Sequence, residues 1–128
     1  MNLGFKPIFV PLILSGEKIH TIRHDNRDRW VGGRKIHYAT GIRTNKYNCF
    51  KQGACVSTQK IEFKWINLND RYVVEVFIDD RNVTNETEVI NALVKNDGFK
   101  DRKEFFEWDS WDKKDFAGKI IHWTDLRY

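Results

Sequence analysis

The stretch ILSGEKIHTIR, residues 13–23, changes from a helical turn to an extended strand within a few positions. Its apolar first part ends at Gly16, a residue type that readily adopts the left-handed backbone that closes a helix. After this turn the sequence alternates, so that Thr21 and Arg23 share one face of a strand and His20 lies on the other. The stretch therefore predicts a turn that leads cationic and hydroxyl side chains into a strand.

On both sides of this stretch, the pattern predicts mostly strands in the first two thirds of the chain and helices in the last third. The strand signal is strongest where valine, tyrosine and phenylalanine are enriched. One helix is predicted to end at Asp97-Gly98, and another begins at a capping-box pattern with Asp101 in the first position. Four aromatic residues supply apolar bulk for that second helix: Phe105, Phe106, Trp108 and Trp111. The predicted strands cover residues 5–10, 19–24, 35–39, 55–65, 72–78 and 119–123.

These elements predict one α+β domain that spans residues 1–128. A chain of 128 residues with 41% hydrophobic and 14% aromatic residues can form one core and is too short for two. We count about six or seven strands and two to three helices in this pattern. A small β-barrel with the helices packed at its side is the economical arrangement, because closing a sheet removes its exposed edges.

The net charge of +4 is unevenly distributed along the chain. Residues 1–64 contain 12 Lys and Arg against 4 Asp and Glu, whereas residues 65–128 contain 10 against 14. If the first half shares a face, its positive field attracts phosphates or other anions. The alternative is that these charges only keep the surface solvated, with an acidic helical part.

The sequence predicts a cytoplasmic protein without a membrane-spanning segment. The apolar run at residues 8–14 is broken by Pro11 and is not followed by a signal-peptide cleavage pattern. Nothing in the chain approaches the roughly twenty apolar residues that cross a bilayer. Cys49 and Cys55 form no CxxC motif, and in this compartment we expect them to be reduced.

We expect neither a metal nor a cofactor. His20 and His24 have the i, i+4 spacing of zinc ligands on a helix, but the segment is predicted to be extended and offers no third ligand. The glycine-rich phosphate loops, the serine-hydrolase elbow and the kinase motifs are absent, which excludes those classes. Any catalysis must therefore come from a smaller group of side chains.

Lys18, Thr21 and Arg23 are the best candidates for such a group. A lysine can act as a base if burial or a neighbouring cation such as Arg23 lowers its pKa. Thr21 would then be the nucleophile that gives its hydroxyl proton to this amine. The alternative is that Lys18 and Arg23 are solvated and that Thr21 is an ordinary strand residue.

Cations and aromatic rings alternate through the first half of the chain, which is the composition of a nucleic-acid-binding surface. Cations neutralise phosphates, and rings stack on unpaired bases. The alternative for each ring is a place in the core. The candidate residues for binding RNA or a nucleoside are Arg23, Arg27, Arg29, Trp30, Arg43, Lys46 and Tyr47.

The order of these signals resembles the ASCH domains, a family of the PUA-like superfamily of small β-barrels. The resemblance covers most of the chain and rests on three segments, of which the first is the most specific because it matches the family pattern Gly-x-Lys-x-x-Thr-x-Arg. The segments are ILSGEKIHTIR, GGRKIHYATGIRT and NDGFKDRKEFFEW. The resemblance implies a cleft that binds RNA or a nucleoside.

In one branch of that family, the enzyme removes the acetyl group of N4-acetylcytidine. The resemblance implies that Lys18 and Thr21 are catalytic, with Asp97 in place of a glutamate that precedes a helix, and that Arg23 positions the substrate. The Asp97 carboxylate is one methylene shorter than a glutamate. By this resemblance, the chain is longer than the small amidohydrolases of the family, and the extra segment is residues 40–55.

The leading hypothesis is therefore an ASCH domain that binds RNA or a modified nucleoside and hydrolyses an N4-acylated cytidine. Lys18 would activate Thr21, Arg23 would hold the oxyanion, and Asp97 would shuttle the proton. One alternative is a non-catalytic RNA-binding module. Another is a ribonuclease in which Lys18 and Tyr47 act on the 2′-hydroxyl.

Overall fold

In the described part of the chain the strands form two sheets and are accompanied by three helices, so the protein belongs to the mixed α+β class. The computed structural model describes residues 1–108 and 113–128, and the Trp111 predicted to support a helix lies outside them. In this part of the chain the eight strands are β1 Asn2–Gly4, β2 His20–Arg23, β3 Lys35–Thr40, β4 Asn48–Ala54, β5 Ser57–Leu68, β6 Arg71–Ile78, β7 Arg81–Asn82 and β8 Phe116–His122. The helices are α1 Val10–Ser15, α2 Thr87–Asn96 and α3 Arg102–Phe106, and a 3-10 turn at Pro7–Phe9 precedes α1.

The smaller sheet has the order β1-β3-β4. β1 runs parallel to β3, and β3 pairs with β4 in the antiparallel direction, with a register shift between Tyr38 and Ala39. Ile36, Tyr38 and Ala39 are buried. This sheet therefore contributes one side of β3 to the core.

The larger sheet has the order β2-β8-β5-β6-β7 and is antiparallel throughout. The long hairpin of β5 and β6 agrees with the strands that the sequence predicts there. β8 lies between β2 and β5, so the last predicted strand joins the candidate stretch to the rest of the sheet. The described strands pair as two separate sheets, and their hydrogen bonds do not close into one barrel.

The strand predicted at residues 5–10 is wrong. The preceding residues form β1, while Pro7 begins a 3-10 turn that runs into α1. Proline suits the first turn of a helix because its ring fixes φ and it lacks the N–H that a strand ladder needs. Phe5 and Phe9 are nevertheless buried, so the apolar run reflects packing of loop and helix residues.

The ends of the helices agree with the sequence signals. α1 ends at Gly16, which has a φ of 83°, as predicted for a left-handed cap. Asp97 caps the end of α2, and Gly98 follows with a φ of 93°. The Asp101 side chain accepts a hydrogen bond from the Glu104 N–H at 2.9 Å, so Asp101 is the N-cap of α3 and makes one of the two bonds of the predicted capping box.

None of the helices in residues 1–108 and 113–128 combines the length and the apolar character needed to span a membrane.

Candidate functional site

A cavity of about 310 Å³ lies where the end of β1, the strand β2 and the end of α2 meet. It is in the size range of small-ligand pockets, whose lower limit is about 300 Å³. Its lining residues are Gly4, Phe5, Lys6, Phe9, Lys18, Thr21, Ile22, Arg23, His24, Asp97, Phe99, Trp108 and Phe116. The cavity therefore contains all four residues that the sequence assigns to a reaction centre: Lys18, Thr21, Arg23 and Asp97.

Local backbone contacts bring Lys18 against the end of α2. The Lys18 N–H donates to the Leu12 carbonyl of α1 at 2.9 Å, which closes the turn at Gly16. The next N–H, that of Ile19, donates to the Asn96 carbonyl at 2.9 Å. Lys18 is thereby fixed next to the C-terminal cap of α2, where Asp97 lies.

Lys18 and Asp97 form a buried ion pair. The Lys18 Nζ is 3.1 Å from Asp97 Oδ1 and donates to the Asp97 carbonyl oxygen at 2.6 Å. Only 2% of Lys18 and 4% of Asp97 is exposed. The one-methylene-shorter carboxylate thus reaches the amine directly.

The surroundings of this pair lower the pKa of both groups. Asp97 is therefore ionised more readily than a free aspartate, and Lys18 loses its proton more easily than a free lysine. Burial lowers the pKa of Lys18, and the charge of Arg23 lowers it further, while Asp97 opposes both. Burial alone would raise the pKa of Asp97, but the charge of Lys18 and the hydrogen bond from His20 outweigh burial and lower it. The site therefore lowers the pKa of both the Asp97 carboxyl and the Lys18 amine.

Arg23 holds the hydroxyl of Thr21. Its Nη1 donates to Thr21 Oγ1 at 2.6 Å and to the Ile22 carbonyl at 2.9 Å, and its Nη2 donates to the Gly4 carbonyl at 2.6 Å. Among the described residues these bonds use three of the five N–H groups of the guanidinium, and Arg23 lines the cavity. The hydroxyl of Thr21, which accepts from Arg23, keeps its own proton available for donation.

Aromatic rings line the cavity around these polar groups. The Lys18 Nζ lies 4.9 Å from the ring centre of Phe9, and the Arg23 guanidinium lies 5.3 Å from that of Phe5. Phe99 and Trp108 pack against each other with their ring centres 5.3 Å apart. The cavity can therefore hold a flat, polar ring between apolar walls.

Sequence reasoning identified His20 only as a potential metal ligand. Its Nδ1 is 3.1 Å from Asp97 Oδ1, and its Nε2 is 2.6 Å from the hydroxyl oxygen of Tyr128. The alternation of the strand placed His20 opposite Thr21, but no sequence signal linked it to Tyr128. Among the residues that the structure describes, no group of three or more His, Cys, Asp or Glu side chains is arranged to hold a metal ion.

The other predicted binding residues lie outside the cavity. Arg27 and Arg29 are exposed in the loop after β2, and Arg43 and Lys46 are exposed in the loop between β3 and β4. Tyr47 is 46% exposed, and its hydroxyl donates to Asn2 Oδ1 at 3.0 Å. The structure thus separates these residues from Lys18, Thr21 and Asp97.

Trp30 is buried, with 6% of its surface exposed, and packs in the core. Its N–H donates to Asp25 Oδ2 at 2.9 Å, and its carbonyl accepts from Lys119 Nζ at 3.1 Å. The alternative that places Trp30 in the core is therefore the correct one. The ring is not available to stack on a base in this structure. The rings at the cavity are instead those of Phe5, Phe9, Phe99, Trp108 and Phe116, of which the sequence analysis assigned none to binding.

Comparisons with protein-family models, with curated proteins and with solved structures gave no match to this chain.

Proposed function

We propose that this protein is an ASCH-type enzyme that binds a modified nucleoside, free or within RNA, and hydrolyses an N4-acylated cytidine. The observation that carries this proposal is the buried Lys18–Asp97 pair, which shares one aromatic-lined cavity with Thr21 and Arg23. The cavity offers hydrogen-bond donors, a hydroxyl and ring walls, which suit a planar and polar nucleobase. Its volume of about 310 Å³ fits a single small ligand.

The reaction begins when the Lys18 ammonium, whose pKa burial lowers, has lost a proton to solvent and become a neutral amine. Lys18 takes the hydroxyl proton of Thr21 while Thr21 Oγ1 forms a bond to the acyl carbon. The free N–H groups of Arg23 hold the oxyanion that develops on the acyl oxygen. Arg23 Nη1 donates to Thr21 Oγ1 at 2.6 Å, so the oxyanion donor and the nucleophile are held at a fixed distance from each other.

The second half of the reaction returns the proton. The Lys18 ammonium protonates the N4 nitrogen as the bond from carbon to nitrogen breaks, and cytidine leaves with its amino group restored. A water molecule then attacks the ester on Thr21 while Lys18 again takes a proton, and Lys18 returns that proton to Thr21 Oγ1 as its bond to the acyl carbon breaks and acetate leaves. Asp97, whose Oδ1 is 3.1 Å from the Lys18 Nζ, supports this proton shuttle by stabilising the ammonium between these steps.

A PUA-like barrel is part of the same proposal. The two sheets are joined by the bond from Arg23 to the Gly4 carbonyl at 2.6 Å. The segment between β4 and β5 joins them again, because the Cys55 N–H donates to the Arg34 carbonyl just before β3 at 2.8 Å and the Val56 N–H donates to the His122 carbonyl of β8 at 2.8 Å. These links support an arrangement in which both sheets enclose one core.

An RNA-binding module without catalysis is the second candidate function. Arg27, Arg29, Arg43 and Lys46 are exposed, and none of them forms a salt bridge with an acidic residue in the described part of the chain. Such cations are free to contact phosphates. The ribonuclease alternative has no comparable support, because Tyr47 does not line the cavity that contains Lys18.

The test is the release of acetate and cytidine from N4-acetylcytidine by the purified protein. Thr21→Ala should abolish release, while Thr44→Ala, which changes an exposed threonine in the loop between β3 and β4, should not. RNA binding at increasing salt is measured on the same samples. Absence of turnover together with tight, salt-sensitive binding would instead support the RNA-binding module.

A further inference from the structure

The backbone of Tyr128 is hydrogen-bonded to a side chain of the larger sheet. Its N–H donates to Gln59 Oε1 at 2.8 Å, and its carbonyl oxygen accepts from Gln59 Nε2 at 2.9 Å. Gln59 is a buried residue of β5, with 2% of its surface exposed. The backbone of Tyr128 is therefore held in one place by a side chain that belongs to the core.

This anchorage directs the Tyr128 hydroxyl toward the back of the reaction centre. The hydroxyl oxygen is 2.6 Å from His20 Nε2 and accepts from Asn96 Nδ2 at 3.0 Å. Burial raises the pKa of Tyr128, so the hydroxyl keeps its proton and can donate it in a hydrogen bond. Asn96 directly precedes Asp97, which places the hydroxyl at the end of α2.

His20 joins this hydroxyl to the acid of the site. Its Nδ1 is 3.1 Å from Asp97 Oδ1, the same oxygen that accepts from Lys18 Nζ at 3.1 Å. The His20 side chain is fully buried. A row of four groups thus runs from Tyr128 through His20 and Asp97 to Lys18.

The chemistry of these groups fixes the direction of the hydrogen bonds. An ionised carboxylate only accepts, so His20 must carry a proton on Nδ1. A neutral His20 then has a bare Nε2, which accepts the hydroxyl proton of Tyr128. Every donor in the row finds an acceptor in this arrangement, and the ring of His20 is held in a single tautomer.

We infer that Tyr128 is a positioning residue, which acts through His20 to hold the Asp97 carboxylate against the Lys18 amine. This inference rests on the proposed function, since the amine it positions is the proposed base. The hydrogen bond from His20 withdraws charge from Asp97, which makes the carboxylate a weaker partner for the Lys18 ammonium. Loss of the Tyr128 hydroxyl should therefore let Lys18 hold its proton more tightly.

The other titratable groups near His20 do not replace Tyr128 as the partner of His20 Nε2. His122 of β8 faces His20 with ring centres 5.3 Å apart, and burial lowers the pKa of His122 to about 4, so it is neutral near pH 7. Arg127 is exposed and interacts with Asp79 and with the Thr58 carbonyl. Within the described residues, Asp97 is the carboxylate that contacts the His20 ring.

The experiment compares Tyr128→Phe with Tyr72→Phe, which makes the same chemical change at an exposed tyrosine of β6 outside the cavity. We expect kcat for N4-acetylcytidine to fall about tenfold in Tyr128→Phe at pH 7 with KM nearly unchanged, because the base is misplaced and more often protonated. The rising limb of kcat/KM against pH should move to higher pH. Tyr72→Phe should match the unsubstituted protein.

Nitrogen NMR of the His20 ring and titration of the Lys18 side chain test the inference without turnover. In the unsubstituted protein we expect the tautomer protonated on Nδ1, and in Tyr128→Phe a mixture of tautomers with a higher pKa of Lys18. A ring protonated on Nε2 in the unsubstituted protein would overturn the inference even if the variant fails to fold. An unchanged Lys18 titration in a folded Tyr128→Phe variant would also overturn it. Failure of the proposed function alone would appear as absent turnover with these NMR results intact.

Discussion

The Lys18 amine lies 3.1 Å from the Asp97 carboxylate, although 79 positions separate the two residues in the chain. One end of the pair is set by the turn after α1 and the other by the end of α2. His20 contacts the same carboxylate oxygen and Tyr128 supports His20, so β2, α2 and the segment after β8 all contribute to one polar cluster. The proposed reaction depends on this convergence.

Replacing Lys18 by methionine should abolish turnover and destabilise the protein. Methionine is close to lysine in shape but leaves a buried carboxylate without its cation, which costs about 3 to 5 kcal/mol of unfolding free energy. Urea unfolding and acetate release measure the two effects. A double variant, Lys18→Met with Asp97→Leu, should regain much of the stability while activity stays lost. A single variant that is as stable as the unsubstituted protein would contradict the buried ion pair.

Thr21→Ser should retain part of the activity that Thr21→Ala loses. Serine keeps the hydroxyl that Arg23 holds and that attacks the acyl carbon, whereas alanine removes it. Rapid-quench measurement should also detect acetylated protein in the serine and threonine forms. Equal turnover in the alanine and serine variants would remove Thr21 from the nucleophile role.

His122 should make the protein less stable as the pH falls from 6.5 toward 4. Burial lowers its pKa from 6.5 to about 4, so below pH 6.5 the unfolded chain binds a proton that the folded protein does not take up until near pH 4. The folded state therefore loses up to about 3 kcal/mol across this window. Urea unfolding at several pH values measures the loss. His122→Asn should flatten this part of the profile, and His24→Asn, at an exposed position, should not.

Trp30→Ala should act on stability and not directly on ligand binding. The ring is buried in the core, and truncating a buried tryptophan costs about 3 to 5 kcal/mol. Unfolding midpoints and N4-acetylcytidine binding at a temperature where the variant is folded separate the two effects. Unchanged stability with weaker ligand binding would restore the role that the sequence suggested for Trp30.

Replacing Arg27, Arg29, Arg43 and Lys46 by glutamine should weaken RNA binding and leave turnover of the free nucleoside unchanged. These cations lie outside the cavity, so they can contact phosphates but not the acyl group. Each lost phosphate contact should flatten the dependence of log affinity on log salt by about 0.7 for a single strand. Fluorescence anisotropy with a short single-stranded RNA measures this slope. An unchanged slope would exclude these side chains from RNA contact.

The sequence predicted well those elements whose signals are local. The alternation at residues 72–78, the glycine that ends α1 and the capping box at Asp101 each depend on neighbours along the chain, and each corresponds to an element or cap in the structure. The apolar run at residues 5–10 failed because a buried helical turn and a buried strand look alike over so short a length. Pro7 within the run and Pro11 directly after it were the better signal.

The candidate site was predictable only where its residues are close together in sequence. Lys18, Thr21 and Arg23 follow one another, and a resemblance suggested Asp97. The aromatic walls and the row from Tyr128 to His20 come from segments that meet only through the sheet, so no periodicity marks them. The charge pattern, in turn, does not distinguish the Trp30 ring in the core from a ring at the surface.

Release of acetate from N4-acetylcytidine by the unsubstituted protein and by Thr21→Ala tests the central claim most directly. If Thr21 is the nucleophile, the first protein releases stoichiometric acetate and cytidine and the second releases none, with both proteins folded. Absence of acetate from the folded, unsubstituted protein, or equal release by the Thr21→Ala variant, would contradict it.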